Sequence, residues 1–211
     1  MRDLVAPELD RYIKELLPPR DPVIAEMERQ AAERNVPIVG PAVATLLATL
    51  ARSIGARRVF ELGSAIGYST AFFAQAVGPE GKVFYTDGSP DNAREACGFL
   101  SRLGLLDRVE ILTGDAVTHL TATPGLFDVI FIDIDKDGYP RALEAAAPRV
   151  KPGGFLLADN VLWSGRVVDA SVRDAATEGI RAFNRALFAR PDFTSVIVPL
   201  RDGVAIARKA P

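Results

Sequence analysis

The sequence is poor in the residues that most often carry metal or nucleophilic chemistry. Its 211 residues include one cysteine, Cys97, and one histidine, His119. A single cysteine cannot form an intrachain disulfide, which favours a reducing, cytoplasmic setting. One histidine excludes cysteine- and histidine-rich zinc sites, and no nucleophile-elbow serine is present to pair with it. A metal ion, if one is bound, must therefore be held mainly by oxygen atoms.

Strong net charge and long apolar runs are also missing. The 25 basic and 27 acidic residues give a net charge of −2, which provides no electrostatic argument for nucleic acid. The apolar stretch 38–50 is interrupted by Gly40 and Pro41 and is too short to cross a bilayer. Charged residues from Arg2 onward interrupt the apolar segment that a secretory signal needs, so no such signal is predicted. We therefore expect a cytoplasmic protein with no membrane contact.

Helix and strand patterns alternate along most of the chain, and the sequence predicts a single domain overall. Residues 1–54 are predicted to form helices that pack on the same domain as residues 55–211. Alternation in the second part predicts βαβ units and a mostly parallel, Rossmann-like α/β sheet with helices on both faces. Two final strands, 193–200 and 204–208, flank Asp202-Gly203, which predicts an antiparallel C-terminal hairpin. The other predicted strands are 58–62, 81–86, 109–112, 128–133 and 154–158. The predicted helices are 7–17, 22–34, 39–54, 65–77, 91–103, 116–121, 139–150 and 172–189.

Polar residues, mainly carboxylates, follow all five predicted parallel strands. They are Glu61 to Ser69, Asp87, Gly114-Asp115, Asp133 to Asp137, and Asp159-Asn160. Ligands of open α/β sheets bind beyond the carboxyl ends of the strands. The sequence therefore predicts one acidic cleft at this edge.

The first of these segments contains two glycines, Gly63 and Gly67, spaced G-x-x-x-G. A tight strand-to-helix turn and a loop that lets a nucleotide-like cofactor approach explain this spacing equally well. Asp87 favours the cofactor, because a carboxylate at the end of the second strand can accept from both ribose hydroxyls and repels a 2′-phosphate. No Walker A lysine motif is present, so triphosphate hydrolysis is not indicated.

A second set of residues, Asp133, Asp159 and Asn160, follows the fourth and fifth strands. If these strands are neighbours, two carboxylates and an amide oxygen meet and select Mg²⁺, Mn²⁺ or Ca²⁺. Any single aspartate is more often a helix N-cap, but the triple favours a metal or substrate role. Lys136 is either a solvated partner of these acids or, inside a cleft, a candidate general base.

Three further residues are assigned from their surroundings in the sequence. Cys97, within an apolar helix, is predicted to lie in the core. His119 is predicted to be a surface or cap residue. Trp163, in a loop after Asp159-Asn160, is predicted to be core or, preferably, the wall of a flat aromatic pocket.

Five motifs together carry a resemblance to a known family over about residues 36–209. They are Glu61–Ser69, Phe131–Lys136, Lys151–Gly154, Asp159–Gly165 and Pro199–Gly203. The sequence resembles the cation-dependent class I O-methyltransferases that use S-adenosylmethionine (SAM), among them catechol and caffeoyl-CoA O-methyltransferases and bacterial relatives. That resemblance implies a seven-stranded sheet whose last strand is antiparallel.

The resemblance also implies roles for individual residues. The methionine half of the cofactor would contact Glu61, Gly63, Gly67 and Ser69, with Asp133 nearby. Asp87 would hold the ribose, and Asp115 and Ala116 would lie by the adenine. Asp133, Asp159 and Asn160 would bind the divalent cation, most simply Mg²⁺. Lys136 would act as the base, with Asp133 beside it, while Asp135 has no settled role. The family also implies a homodimer.

The resemblance predicts methyl transfer to a hydroxyl of a small phenolic or catechol-like acceptor. An alternative is tRNA 5-hydroxyuridine, since segments 35–38 and 64–69 also resemble the bacterial tRNA-modifying branch. A local basic patch would serve it, made of Lys14, Arg20, Arg29, Arg34, Arg57 and Arg58. The segment Gly40–Ala42 departs from the family pattern, which leaves its cofactor contacts open. A nicotinamide oxidoreductase would need G-x-G-x-x-G, and a non-catalytic nucleoside-binding module would not need Asp133, Asp159, Asn160 and Lys136 together.

Overall fold

A sheet of seven strands forms the centre of the structure, a computed structural model that describes residues 6–211. The strands are β1 Arg58–Leu62, β2 Lys82–Asp87, β3 Val109–Thr113, β4 Phe127–Ile132, β5 Val150–Ala158, β6 Phe193–Val198 and β7 Val204–Lys209. Their order is β3-β2-β1-β4-β5-β7-β6, with β1 to β5 parallel and β7 antiparallel to both of its neighbours. The predicted fold class and its C-terminal hairpin are therefore confirmed.

Helices cover both faces of the sheet. They are α1 Pro7–Leu16, α2 Pro22–Arg34, α3 Gly40–Ser53, α4 Tyr68–Val77, α5 Pro90–Arg102, α6 Ala116–Ala122, α7 Tyr139–Ala146 and α8 Ala175–Phe188. Successive strand residues point to opposite faces, so Val59 and Phe131 join the core under α2 to α5, whereas Phe60 and Ile132 join the core under α6 to α8. Met27 of α2 lies in the first of these cores.

Several helix boundaries differ from the predicted ones for local reasons. Helix α4 begins at Tyr68 rather than at residue 65, because Ala65 (φ 45°) and Gly67 (φ 82°) have left-handed backbone. Helix α8 begins at Ala175 rather than 172, since the Asp174 side chain caps it. The predicted helix 139–150 ends at Ala146 and strand β5 begins early, at Val150, because Pro148 cannot continue the α-helical hydrogen bonding.

The single cysteine and the single histidine are both only partly buried. Cys97 is only partly buried, which corrects the prediction that it belongs to the core. It lies on α5 between the buried positions 96 and 99. His119, in the last turn of α6, is also partly buried, and one of its ring nitrogens lies 3.1 Å from the carbonyl oxygen of Thr113 at the end of β3. This placement agrees with a cap or surface residue.

No helix within residues 6–211 has the length and apolar composition that crossing a membrane requires. The longest, α3 and α8, have 14 residues each, whereas a span needs about 20 apolar residues. The prediction that there is no secretory signal depends partly on residues 1–5, which lie outside the described residues.

Candidate active site

The carboxyl ends of the parallel strands border a cleft of about 1360 Å³. It lies where the strand order reverses between β1 and β4, which is the usual ligand position in such sheets. Because a pocket for one small molecule occupies roughly 300–1,000 Å³, this cleft has room for two ligands.

The wall of the cleft is strongly acidic. It contains seven aspartates and three basic residues. These are Asp87, Asp115, Asp133, Asp135, Asp137, Asp174 and Asp202, with Lys136, Arg141 and Arg201. Such a wall attracts cationic ligands and repels polyanions.

The loop after β1 owes both of its glycines to packing within the protein. A Cβ on Gly63 (φ 87°) would lie 2.3 Å from the Asp133 carbonyl oxygen, and one on Gly67 (φ 82°) would lie 2.9 Å from the Ala96 Cβ. Gly63 borders the cleft, whereas Gly67 starts helix α4 against α5. Contact with a cofactor is not needed to explain either glycine, so the tight-turn interpretation accounts for the spacing.

Asp87 connects this loop to the end of β2. Its Oδ2 accepts from the Ala65 amide at 3.0 Å, and its Oδ1 accepts from the Ser89 amide at 2.8 Å and from the Asn92 side chain at 3.0 Å. A carboxylate has about four acceptor positions, so about one position remains, on Oδ2. The geometry favours contact with one ribose hydroxyl rather than both.

Glu61 is the most isolated acid near the cleft. Its side chain is fully buried, and neither carboxylate oxygen makes a hydrogen bond of normal geometry within residues 6–211. Burial raises the pKa of Glu61 to about 7, although the hydroxyls of Ser69 and Thr70 act in the opposite direction. A buried, unpaired carboxylate is costly, and Glu61 lies just behind Gly63 and Ser69, which border the cleft.

Asp133 and Asp159 lie side by side where β4 and β5 end. They follow Ile132 and Ala158, which are paired in the parallel register, and the Asp159 amide donates to the Ile132 carbonyl at 3.2 Å. Burial, with the nearby charge of Asp133, raises the pKa of Asp159 to about 7. The Oδ2 of Asp159 pairs with Arg201 at 2.8 Å, while its buried Oδ1 has no hydrogen-bond partner in the described chain. Asn160 follows with φ 58° and borders the cleft.

Lys136 is held tightly beside these acids. Its Nζ donates to Asp133 Oδ1 at 2.7 Å, to the Ile134 carbonyl at 3.1 Å and to the Tyr139 hydroxyl at 2.9 Å. The buried Tyr139 hydroxyl donates in turn to the Asp159 carbonyl at 2.8 Å. Sequence reasoning missed Tyr139, although an aromatic hydroxyl in the helical turn after Lys136 was the available signal.

The C-terminal hairpin supplies two more charged residues, Arg201 and Asp202, which the sequence showed only as part of a motif. Its turn packs on the loop after Asn160, where the Leu162 amide donates to the Asp202 carbonyl at 3.0 Å. A Cβ on Gly203 (φ 84°) would lie 2.4 Å from Leu162 Cγ, so the close approach requires glycine. Burial raises the pKa of Asp202, whose carboxylate accepts from the Ser164 amide.

Asp115 occupies the opposite end of the cleft. It is the N-cap of α6, accepts from the Thr118 amide at 2.7 Å and pairs with Arg141 at 2.9 Å. The Thr118 hydroxyl and amide, with Arg141, lower the pKa of Asp115 to about 2. Ala116 also borders the cleft, and Trp163 lies on its wall, the position preferred for it from the sequence.

The donor set at the ends of β4 and β5 fits a hard divalent cation. No group of three or more His, Cys, Asp or Glu side chains arranged for a metal is present in residues 6–211, but the predicted set contains two carboxylates and one amide. The unpartnered Oδ1 of Asp159 beside Asp133 is a buried acceptor that lacks a donor. Oxygen ligands of this kind suit Mg²⁺, Mn²⁺ or Ca²⁺.

The strand order and the cleft at its switch point define a Rossmann-like α/β fold of the methyltransferase type. The chain belongs to the O-methyltransferase family, whose sequence profile matches residues 18–210. This finding confirms the family that the motifs indicated.

Named relatives and solved structures agree with this membership. A catechol O-methyltransferase of Niastella koreensis is 32% identical over 98% of this chain and 99% of its own length. One from Mycobacterium tuberculosis is 34% identical over 78% of this chain and 76% of its own. The O-methyltransferase from Bacillus cereus in complex with SAH has a TM-score of 0.87 at 31% identity, covering 96% of this chain and 97% of that one. TomG from Streptomyces achromogenes, in complex with SAM, has a TM-score of 0.87 at 29% identity, covering 97% and 96%.

Proposed function

We propose that the protein transfers the methyl group of SAM to a hydroxyl of a small catechol-like phenol, assisted by a divalent cation. The observation that carries this proposal is the unpartnered, buried carboxylate oxygen of Asp159 beside Asp133 and Lys136, which border a cleft with room for two ligands. The names of two relatives, both catechol O-methyltransferases, and two structural neighbours in complex with SAH and SAM support it.

The cofactor would lie along the carboxyl ends of β1 to β3. The remaining acceptor position of Asp87 would take a ribose hydroxyl, and Asp115 and Ala116, which also border the cleft, would lie by the adenine. Glu61 offers an unpaired buried carboxylate to the positive end of the methionine portion. These contacts favour a cationic sulfonium cofactor whose ribose carries no phosphate.

The reaction needs little covalent chemistry from the protein. Asp133, Asp159 and Asn160 would hold the cation, which when bound supplies Lewis acidity that makes the acceptor hydroxyl more acidic. The acceptor oxygen forms its bond to the methyl carbon as the carbon–sulfur bond breaks, and the electron pair of that bond stays on sulfur. Lys136 would take the hydroxyl proton in its neutral amine form, reached by loss of one ammonium proton to solvent, and the cleft would hold the two reactants in line.

The charge of the cleft favours a small uncharged acceptor over RNA. An acidic wall repels phosphates, and basic side chains proposed for an RNA patch are already engaged within the protein. Lys14 pairs with Asp10 at 2.6 Å, Arg20 with Glu28 at 2.8 Å and Arg34 with Glu95 at 2.5 Å, while Arg58 lies over Phe84 and Phe127. The ion pairs of Lys14, Arg20 and Arg34 reduce the charge that this patch offers to tRNA.

Methyl transfer from SAM to a catechol panel and to undermodified tRNA, with Mg²⁺ or with EDTA, tests the proposal. We expect cation-stimulated transfer to a catechol, abolished in Asp133→Ala and Asp159→Ala but retained in Asp91→Ala, which removes an exposed aspartate. Full activity of either site variant in EDTA would refute the cation assignment. Transfer to tRNA alone would refute the phenol, and binding of NADH without SAM would overturn the methyltransferase assignment.

We also propose that the chain forms a homodimer through α1. The exposed face of this helix carries Leu9, Tyr12 and Leu16, which are 56%, 57% and 66% exposed. Burying such a face against a second copy removes apolar surface from water. Sedimentation should give a dimer that Tyr12→Glu dissociates, and a monomeric wild-type protein would contradict the proposal.

A further inference from the structure

Two internal cations already neutralise the carboxylates at the ends of β4 and β5. Lys136 pairs with Asp133 at 2.7 Å, and Arg201 pairs with Asp159 at 2.8 Å. Asp159 is completely buried, so a paired positive charge is needed to keep it ionised. Arg201 therefore occupies part of the role that a divalent cation would have at the same carboxylate.

Arg201 differs from Lys136 in how firmly it is held. The Lys136 side chain is 10% exposed and its ammonium donates to three oxygen atoms. The Arg201 side chain is 41% exposed, lies in the turn between β6 and β7, and makes its hydrogen bond to Asp159 Oδ2. Arg201 is therefore easier to displace than Lys136, provided that another positive charge replaces it beside the buried Asp159.

The backbone at this position is also unfavourable for an arginine. Arg201 has φ 54°, in the left-handed region that side chains with a Cβ rarely adopt. Sparsely populated backbone conformations are held by their surroundings and occur often where they serve a function. Here the conformation accompanies a guanidinium that pairs with Asp159, a carboxylate whose other oxygen is buried and has no hydrogen-bond partner in the described chain.

We infer that Arg201 competes with the divalent cation for Asp159 and thereby sets the cation affinity of the protein. Two positive groups held by one carboxylate repel each other at short range, so the cation binds more weakly while Arg201 stays in place. This inference rests on the proposed function, because it requires a divalent cation at Asp159. It adds that the cation must displace a charge belonging to the protein.

Titration of the ligand-free protein with Mn²⁺, followed by electron paramagnetic resonance of the free ion, tests the competition. Arg201→Gln removes the charge, and Arg201→Lys keeps it under the same backbone constraint. We expect Arg201→Gln to bind Mn²⁺ at least about tenfold more tightly than wild type, and Arg201→Lys to bind about as wild type does. Lys151→Gln is the matched control. It removes a cation that pairs with Asp128 at 2.6 Å at the amino ends of β4 and β5, opposite the candidate cation site.

The outcomes separate this inference from the proposed function. Unchanged or weaker binding by Arg201→Gln, when wild type binds Mn²⁺, overturns the competition and leaves the proposed function intact. Absence of Mn²⁺ binding by wild type and both variants overturns the cation site and the inference together. Binding by Arg201→Gln alone supports the competition and refutes cation dependence of the wild-type protein.

A second measurement follows the wild-type protein itself, so it does not depend on whether Arg201→Gln folds. In nitrogen-15-labelled wild-type protein, the Arg201 side-chain NMR signal, assigned by its loss in Arg201→Lys, should shift on saturation with Mg²⁺ as the guanidinium leaves Asp159. If no arginine side-chain signal moves while Mg²⁺ binds, the competition is refuted.

Discussion

Replacing Gly63 with alanine tests how the loop after β1 is fixed against the end of β4. The new Cβ would stand at φ 87° and 2.3 Å from the Asp133 carbonyl oxygen. Left-handed backbone costs roughly 1–2 kcal/mol for a residue with a Cβ, and relieving the overlap adds about 1–3 kcal/mol. We expect the free energy of unfolding to fall by about 2–5 kcal/mol.

Gly153→Ala is the matched control for this variant. Gly153 also has positive φ, 75°, but a Cβ there would meet no atom within 4 Å. The free energy of unfolding of Gly153→Ala should fall only by the cost of the left-handed backbone, about 1–2 kcal/mol. At about 2–4 °C per kcal/mol for a chain of this size, thermal unfolding separates the two. An equal Tm loss in both variants would refute the role assigned to the contact with Asp133.

The remaining predictions concern single contacts around the cleft. Because the folded pKa of Glu61 is raised from 4.5 to about 7, the ligand-free protein should lose up to about 3 kcal/mol of stability relative to Glu61→Gln as pH rises from about 4.5 to above 7; denaturant titrations showing no such pH difference would contradict this. Asp87→Asn should raise the Kd for SAM roughly 10- to 100-fold by calorimetry, since it removes a charged acceptor; an unchanged Kd would place the ribose elsewhere. Tyr139→Phe should lower the free energy of unfolding by about 1–3 kcal/mol, because the buried Asp159 carbonyl loses its donor; urea unfolding at wild-type stability would argue against that bond.

The fold followed from the sequence because its signals are local. Apolar runs of strand length, each followed by a polar turn and an amphipathic helix, predict parallel βαβ units without any knowledge of distant contacts. Predicted helix boundaries were wrong where backbone conformation set them. Ala65 and Gly67 have left-handed φ values, so helix α4 begins only at Tyr68.

The candidate site could be predicted only in part, because its charges depend on which strands are neighbours. Placing Asp133 next to Asp159 required β4 and β5 to pair, which the sequence could state only as a condition. The contact of Asp159 with Arg201 joins residues 42 positions apart, and it exists because β7 inserts beside β5. Long-range placement of this kind leaves no local pattern to detect.

The buried acids also bear on the proposal that one cleft binds two cationic ligands and selects a small acceptor. Glu61 and Asp159 each have a carboxylate oxygen without a hydrogen-bond donor in the described chain, and burial raises the pKa of both. A positive ligand beside either acid recovers part of the desolvation energy that folding spent there. The proposed sulfonium cofactor and divalent cation meet this condition at the two acids separately. The same acids would repel an acceptor that carries phosphate groups. The negative charge that favours both cationic ligands therefore also favours a small neutral phenol as the methyl acceptor.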